Sequence, residues 1–142
     1  MQELATSMEA MGGGPIAVST LYIGLNVLLS LVLAILVVRA RVKTETELGE
    51  GDSEEMLRAT RVHGNNVEYV PFALLAIIAV ELAGAPVWCL HILGAGLTVG
   101  RLAHAIGLSG NSGRSLGRFL GTILTWLVML VAGGLSVYYA LT

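Results

Sequence analysis

With 142 residues, 55% of them apolar and only 13% charged, the chain falls well short of the roughly 25% charge of a soluble domain. The deficit is gathered into long apolar stretches, which points to lipid as the solvent. A formal net charge of −2 excludes a large basic surface for nucleic acid, and a single cysteine, Cys89, excludes an intrachain disulfide.

The first fourteen residues carry Glu3 and Glu9 but no lysine or arginine. A secretory leader needs a basic start and a short apolar run, and neither is present. Residues 1–14 are expected to form a flexible tail, followed by a single four-helix transmembrane domain over 15–142. The first span, about 15–38, exceeds the ~20 apolar residues that cross a hydrocarbon core. Pro15 suits a first helical turn, where its missing N–H costs nothing. Asn26 is the one strongly polar side chain of this span and is expected to face other helices. Arg39, Arg41 and Lys43 follow, then a water-exposed acidic connection over 45–55, punctuated by Gly49 and Gly51.

The apolar part of the second span, 69–83, has only 15 residues, below the usual minimum of about 17. Upstream, Ser53-Glu54-Glu55 reads as a helix start, with a serine cap and acids in the first turn. One long helix over about 53–83 is therefore expected, polar in its first half, apolar in its second, and kinked at Pro71. Gly84-Ala85-Pro86 makes a tight turn. The third span, about 87–107, presents Gly94, Gly96 and Gly100 as a small-residue surface for close helix approach. Cys89 and His91 read as packing or interfacial residues within it. A Gly/Ser/Asn loop over 108–113 leads to the fourth span, about 115–141, with Trp126, Tyr138 and Tyr139 as interface anchors. All eight basic residues fall on one side of this layout. The positive-inside rule puts that side in the cytoplasm and both termini outside, in the inner membrane for a bacterial chain.

Arg58, Arg61, Asn65 and Glu68 lie at offsets 0, 3, 7 and 10 of the second helix, within an arc of roughly 80°. His63 and Asn66 lie off this stripe. Arg101 and His104 share one face of the third helix, Arg114, Ser115 and Arg118 open the fourth, and Arg39 and Arg41 end the first. All four spans thus bring polar groups to one membrane depth. Ionisable groups there must pair or line a polar cavity. Glu68, at the edge of the apolar segment, is expected to pair with Arg61 or Arg101. A structural ion-pair network and a binding site both satisfy this pattern. Taken singly, Arg39, Arg41, Lys43 and Arg118 also read as side chains snorkelling to phosphate headgroups.

Several arginines, an amide and one carboxylate suit a small molecule with more carboxylates than amines, because guanidinium binds carboxylate through paired hydrogen bonds. Glutathione fits, as do dicarboxylates, phospholipid headgroups and nucleotides. The sequence has no glycine-rich phosphate loop, and its histidines show no paired metal-ligand spacing, so no metal is expected.

The stretch 58–71 resembles the signature of the MAPEG superfamily, the membrane-associated proteins in eicosanoid and glutathione metabolism. It places Arg61 four residues before Asn65 and closes on Glu68-Tyr69-Val70-Pro71. Val38-Arg39-Ala40-Arg41 and Arg101-Leu102-Ala103-His104 resemble first- and third-helix segments of family members, and Arg114-Ser115 resembles a pair beside the glutathione thiol. The likeness covers the chain from about residue 15 onward and is that of a bacterial-type member. It implies an all-α four-helix bundle assembled as a homotrimer, with glutathione as co-substrate between subunits on the cytoplasmic side. It further implies that Arg39, Arg58, Arg61, Asn65, Glu68, His104 and Arg101 hold the peptide. Arg114 would stabilise its thiolate and Ser115 would donate a hydrogen bond. The implied activity is a glutathione-dependent transferase, extending to peroxidase chemistry, acting on a lipophilic electrophile or lipid hydroperoxide from the bilayer. One departure is Leu108, where members often carry tyrosine; with it stands the alternative of a non-catalytic membrane protein binding lipid or organising partners in the same cleft. A transport or channel subunit is a third reading, disfavoured because the fourth span offers only Thr122, Thr125 and Ser136 as weakly polar groups.

Overall fold

The computed structural model describes residues 14–110 and 115–142. The expected tail, up to residue 13, and Arg114 lie outside the described residues. Four helices build the described chain: α1 (Ala17–Thr44), α2 (Glu54–Leu82), α3 (Val87–Gly110) and α4 (Leu116–Leu141). Each is long and apolar enough to cross a membrane. In lipid every backbone N–H and C=O must be satisfied internally, and the helix is the open-ended structure that does so. The chain is an integral, multi-pass membrane protein. Short connections make successive helices antiparallel, so Gly84 marks one end of the bundle and Arg58 the other. α2 packs on all three other helices, whereas α1 packs on α2 and α3 but, among the described residues, not on α4.

Local chemistry explains most of the boundaries. Ser53 caps α2 by accepting from the Met56 N–H at 3.2 Å, and Glu54 and Glu55 occupy the positive end of the helix dipole. The helix runs unbroken through Pro71. At its far end Gly84 has φ 87°, Ala85 N–H donates to Val80 O and Gly84 N–H to Glu81 O. That pair of bonds is a Schellman cap, which needs a left-handed residue and so favours glycine.

Two helices outrun their expected ends. α1 continues past residue 38 to Thr44. No helix breaker lies in 39–43, and Arg41 and Lys43 sit favourably at the negative end of the dipole. The basic run therefore marks the edge of the apolar segment, not of the helix. α3 continues through Leu108 to Gly110, because Leu108 has a buried place beside Leu33, Val62 and Ala105.

The main core lies toward the Gly84 end, where Ile77, Val80, Leu90, Leu97 and Ala132 are buried in one cluster. The α3 glycines serve two faces. Gly94 admits the Tyr22 ring of α1, while Gly96 and Gly100 face α4 at Val128 and Gly121. Asn26 is fully buried and donates to Tyr22 O and Thr98 Oγ1, both at 2.9 Å. His91 meets the Tyr22 hydroxyl through Nδ1 at 2.9 Å, a helix-packing contact.

Glu81 plays a part that periodicity does not reveal. Its carboxylate accepts from Val18 N–H at 2.9 Å and Ser19 N–H at 2.7 Å. α1 has no side-chain cap of its own, so a carboxylate from α2 caps its first turn and meets its dipole. Glu81→Ala is expected to destabilise the fold by about 1–2 kcal/mol. Unfolding by SDS in mixed micelles would show an earlier midpoint, with ligand binding at the opposite end unaltered; an unmoved midpoint would remove this cap from the account.

Candidate functional site

The 3.6-residue period that carries Arg58, Arg61, Asn65 and Glu68 on one face of α2 aims all four at an open cleft of about 530 Å³. α3 adds His104 and Leu108, α4 adds Arg118, and the α1–α2 connection adds Glu50. Behind this wall lies Arg101, only 1% exposed. Its Nη2 donates to Asn65 Oδ1 at 2.8 Å and to His104 Nδ1 at 3.3 Å, and its Nε donates to Asn66 Oδ1 at 3.3 Å. Its guanidinium carbon stands 6.0 Å from the Tyr69 ring centroid. Nη1 is buried and, among the described residues, has no hydrogen-bond partner.

These contacts set the chemistry of their neighbours. A guanidinium has no acceptor, so the contact to His104 requires Nδ1 to be unprotonated, which leaves the ring's N–H on Nε2. Asn65 accepts through Oδ1, so its amide N–H groups remain as donors. The cleft is therefore lined by donors and cations, with Glu68 and Glu50 as its carboxylates.

Six of the expected residues are gathered here: Arg58, Arg61, Asn65, Glu68 and His104 in the wall, and Arg101 behind it. Arg39 is not; it lies on an exposed face of α1 and does not line the cleft. Ser115 stands at the start of α4, where its hydroxyl donates to Gly107 O at 2.7 Å and accepts from Arg118 N–H at 3.2 Å. It thus caps α4 and ties it to α3. The expected pairing of Glu68 is corrected: among the described residues the one ion pair within 4 Å is Lys43–Glu55, at the surface. Glu68 is exposed to the cleft instead, where water reaches it and no partner is required. Among the described residues no three His, Cys, Asp or Glu side chains are grouped to hold a metal ion.

Three contributors escape the sequence pattern. Asn66, off the stripe, is fully buried and bridges α1 to α3, donating to Ser30 Oγ at 2.7 Å while accepting from Arg101. An amide in a membrane helix that cannot face lipid was the available signal. Arg118 reads from sequence as a snorkelling side chain, and Glu50 as one acid among many in a solvated connection. Beside the cleft, sharing Arg118, runs a more apolar groove of about 680 Å³ along α4, walled by Leu116, Phe119, Ile123 and Trp126.

The MAPEG family model matches residues 19–138. The inner membrane protein YecN of Escherichia coli (strain K12) is 36% identical over 122 residues, covering 86% of this chain and 92% of that protein. YecN of Escherichia coli O6:H1 matches to the same extent.

Proposed function

We propose, from the premise that the chain belongs to the MAPEG family, that it is a glutathione-dependent membrane transferase whose cleft binds the tripeptide. The observation that carries this reading is the unspent charge of the cleft. Arg58, Arg61, Arg118 and Glu68 face one cavity and, among the described residues, form no ion pair with one another. Arg101 is buried behind them with amide and imidazole partners and, among the described residues, no carboxylate. A structural network would have closed these charges on each other; an array left open suits a ligand with two carboxylates and one ammonium.

In this reading Arg58 and Arg61 take the carboxylates through paired hydrogen bonds. Glu68 takes the ammonium, and Asn65 and His104, oriented by Arg101, donate to the peptide. The thiol's cation is assigned to Arg114 by the family resemblance alone, since a nearby cation favours the thiolate, the nucleophilic form. Ser115 fixes the start of α4 through its bonds to Gly107 O and Arg118 N–H. The sulfur attacks the electrophilic centre of a lipophilic substrate, a C–S bond forms, and the leaving group departs with the bonding pair. The groove with Phe119 and Trp126 is where that substrate enters from the bilayer. With a lipid hydroperoxide, the thiolate attacks the terminal oxygen and the O–O bond breaks. The alkoxide takes a proton and leaves as the alcohol, and the glutathione sulfenic acid reacts with a second glutathione to give the disulfide and water.

The cleft lies on the cytoplasmic side of the inner membrane, with both termini outside, because every basic residue among those described falls at that end. The protein assembles as a homotrimer. The outward position of Arg39 suits it to a neighbouring subunit's cleft. The second reading, a non-catalytic lipid or partner site, draws on Leu108, which gives the cleft wall a side chain without a hydroxyl.

The test is the ultraviolet absorbance of glutathione thiolate in detergent near neutral pH, where the free thiol, with a pKa of about 8.5, is only a few per cent ionised. A saturable thiolate signal supports the enzyme. Arg114→Ala is expected to cut the bound thiolate fraction about tenfold while the assembly stays intact. Absence of signal from an intact wild-type oligomer would favour the lipid-binding reading.

A further inference from the structure

The connection between α1 and α2 is acidic, yet it is held to the cleft in one defined form. Arg41 Nη1 donates to the carbonyls of Thr46 and Glu47 at 3.3 Å and of Gly49 at 3.2 Å. Glu45, Gly49 and Gly51 adopt positive φ, which folds the segment back on the helix end. The chain so held delivers Glu50 to the cleft wall, beside Arg58 and Arg61, whereas Glu47 stays exposed. Glu50 Oε1 lies 3.0 Å from Thr60 Oγ1, whose single proton is shared with the carbonyls of Met56 and Leu57 at the same distance. A carboxylate has about four lone-pair sites, so this shared donor leaves most of its capacity open. Glu50 is half-buried and Glu68 exposed. A charge at Glu50 is thus less screened and acts more strongly on a ligand in the cleft.

We infer that Glu50 is a specificity-determining carboxylate of the cleft and that Arg41 positions it, making the site select a peptide with a free amine over a purely anionic ligand of the same shape. The inference rests on reading the cleft as a glutathione site. Glu68, exposed to water, holds the ammonium but discriminates weakly by itself. With the less screened Glu50 in the same cleft, the carboxylates of a ligand that lacks an ammonium meet unrelieved repulsion, and an ammonium meets stronger attraction.

The experiment is calorimetric titration of the detergent-solubilised oligomer with glutathione and with its des-amino analogue, which lacks only the ammonium group. The wild type is expected to prefer glutathione. Glu50→Gln is expected to shrink that preference about tenfold, mostly by tightening the analogue. Arg41→Met, which replaces no residue of the cleft lining, is expected to shrink it in the same direction by releasing the connection that carries Glu50. Glu47→Gln removes an equal charge from the same segment and is expected to keep the preference. An unchanged preference in Glu50→Gln, or an equal loss in Glu47→Gln, overturns the assignment of Glu50. An unchanged preference in Arg41→Met overturns the positioning role. If the wild type binds neither ligand, the glutathione reading itself fails and this inference with it, an outcome distinct from a preference that Glu50 does not control.

Discussion

Replacing Gly121 with valine is expected to break the α3–α4 seam and cost about 3 kcal/mol or more. A Cβ at Gly121 would overlap the Gly100 carbonyl oxygen and the backbone nitrogen of His104. Neither atom can rotate away as a side-chain tip would, so the helices themselves must separate. The neighbouring turn is equally tight: Gly107 lies against the Arg118 nitrogen and the Gly117 backbone, and Gly117 against Ala103 O. Such backbone contact is how helices associate in lipid, where burying apolar surface adds little because the tails are as apolar as leucine. The seam also sets where Arg101, His104 and Arg118 stand, so a wider spacing dismantles the cleft. Gly121→Val should unfold at lower SDS fraction and give no glutathione thiolate signal. Gly134→Ala, at a site with nothing within 4 Å of the added carbon, should behave as wild type. A Gly121→Val protein with unchanged stability and binding would mean that the seam does not fix the site.

What could be read from the sequence divides along physical lines. The four spans were legible because apolar length in a membrane protein is a strong constraint with few alternatives. The stripe of Arg58, Arg61, Asn65 and Glu68 was legible because helical period alone decides which residues share a face. The ends of α1 and α3 were not, because charge and turn-forming residues register the edge of the lipid, while a helix stops only where its hydrogen bonding does. The partners of Asn66, Glu81 and Glu50 were illegible for a different reason. Each of these residues works through a partner on another element: Ser30 and Arg101 for Asn66, the first turn of α1 for Glu81, Thr60 for Glu50. No local pattern encodes such a pairing. Glu68 departs in the opposite sense: a carboxylate beside arginines is expected to close on one of them, and the fold leaves it open to the cleft.

Arg101→Met should separate stability from binding more sharply than any other single change. Arg101 joins three acceptors, Asn65, Asn66 and His104; removing it strands the buried Asn66 and His104, whereas Asn65, half-buried, faces the open cleft. Each orphaned buried acceptor costs on the order of 1–3 kcal/mol. Against that, a fully buried guanidinium in a membrane span, with no carboxylate partner among the described residues, is itself expensive, and methionine removes the expense. The two terms oppose each other, so the net loss of stability is expected to stay under about 2 kcal/mol. Nothing offsets the loss for the ligand. The cation behind the wall disappears, Asn65 and His104 lose the contact that orients them, and an anionic peptide meets a weaker field in a low-dielectric site. Glutathione affinity should fall about a hundredfold, equivalent to roughly 2.7 kcal/mol. Arg101→Lys keeps the charge but, as a single ammonium, cannot reproduce the guanidinium fork that reaches two helices. It should recover less than tenfold of that loss. Titration calorimetry on the folded variants, with SDS midpoints recorded on the same samples, decides the matter. A methionine variant that binds glutathione as tightly as wild type would make Arg101 a packing element only, and the unspent charge of the cleft would no longer argue for an anionic ligand.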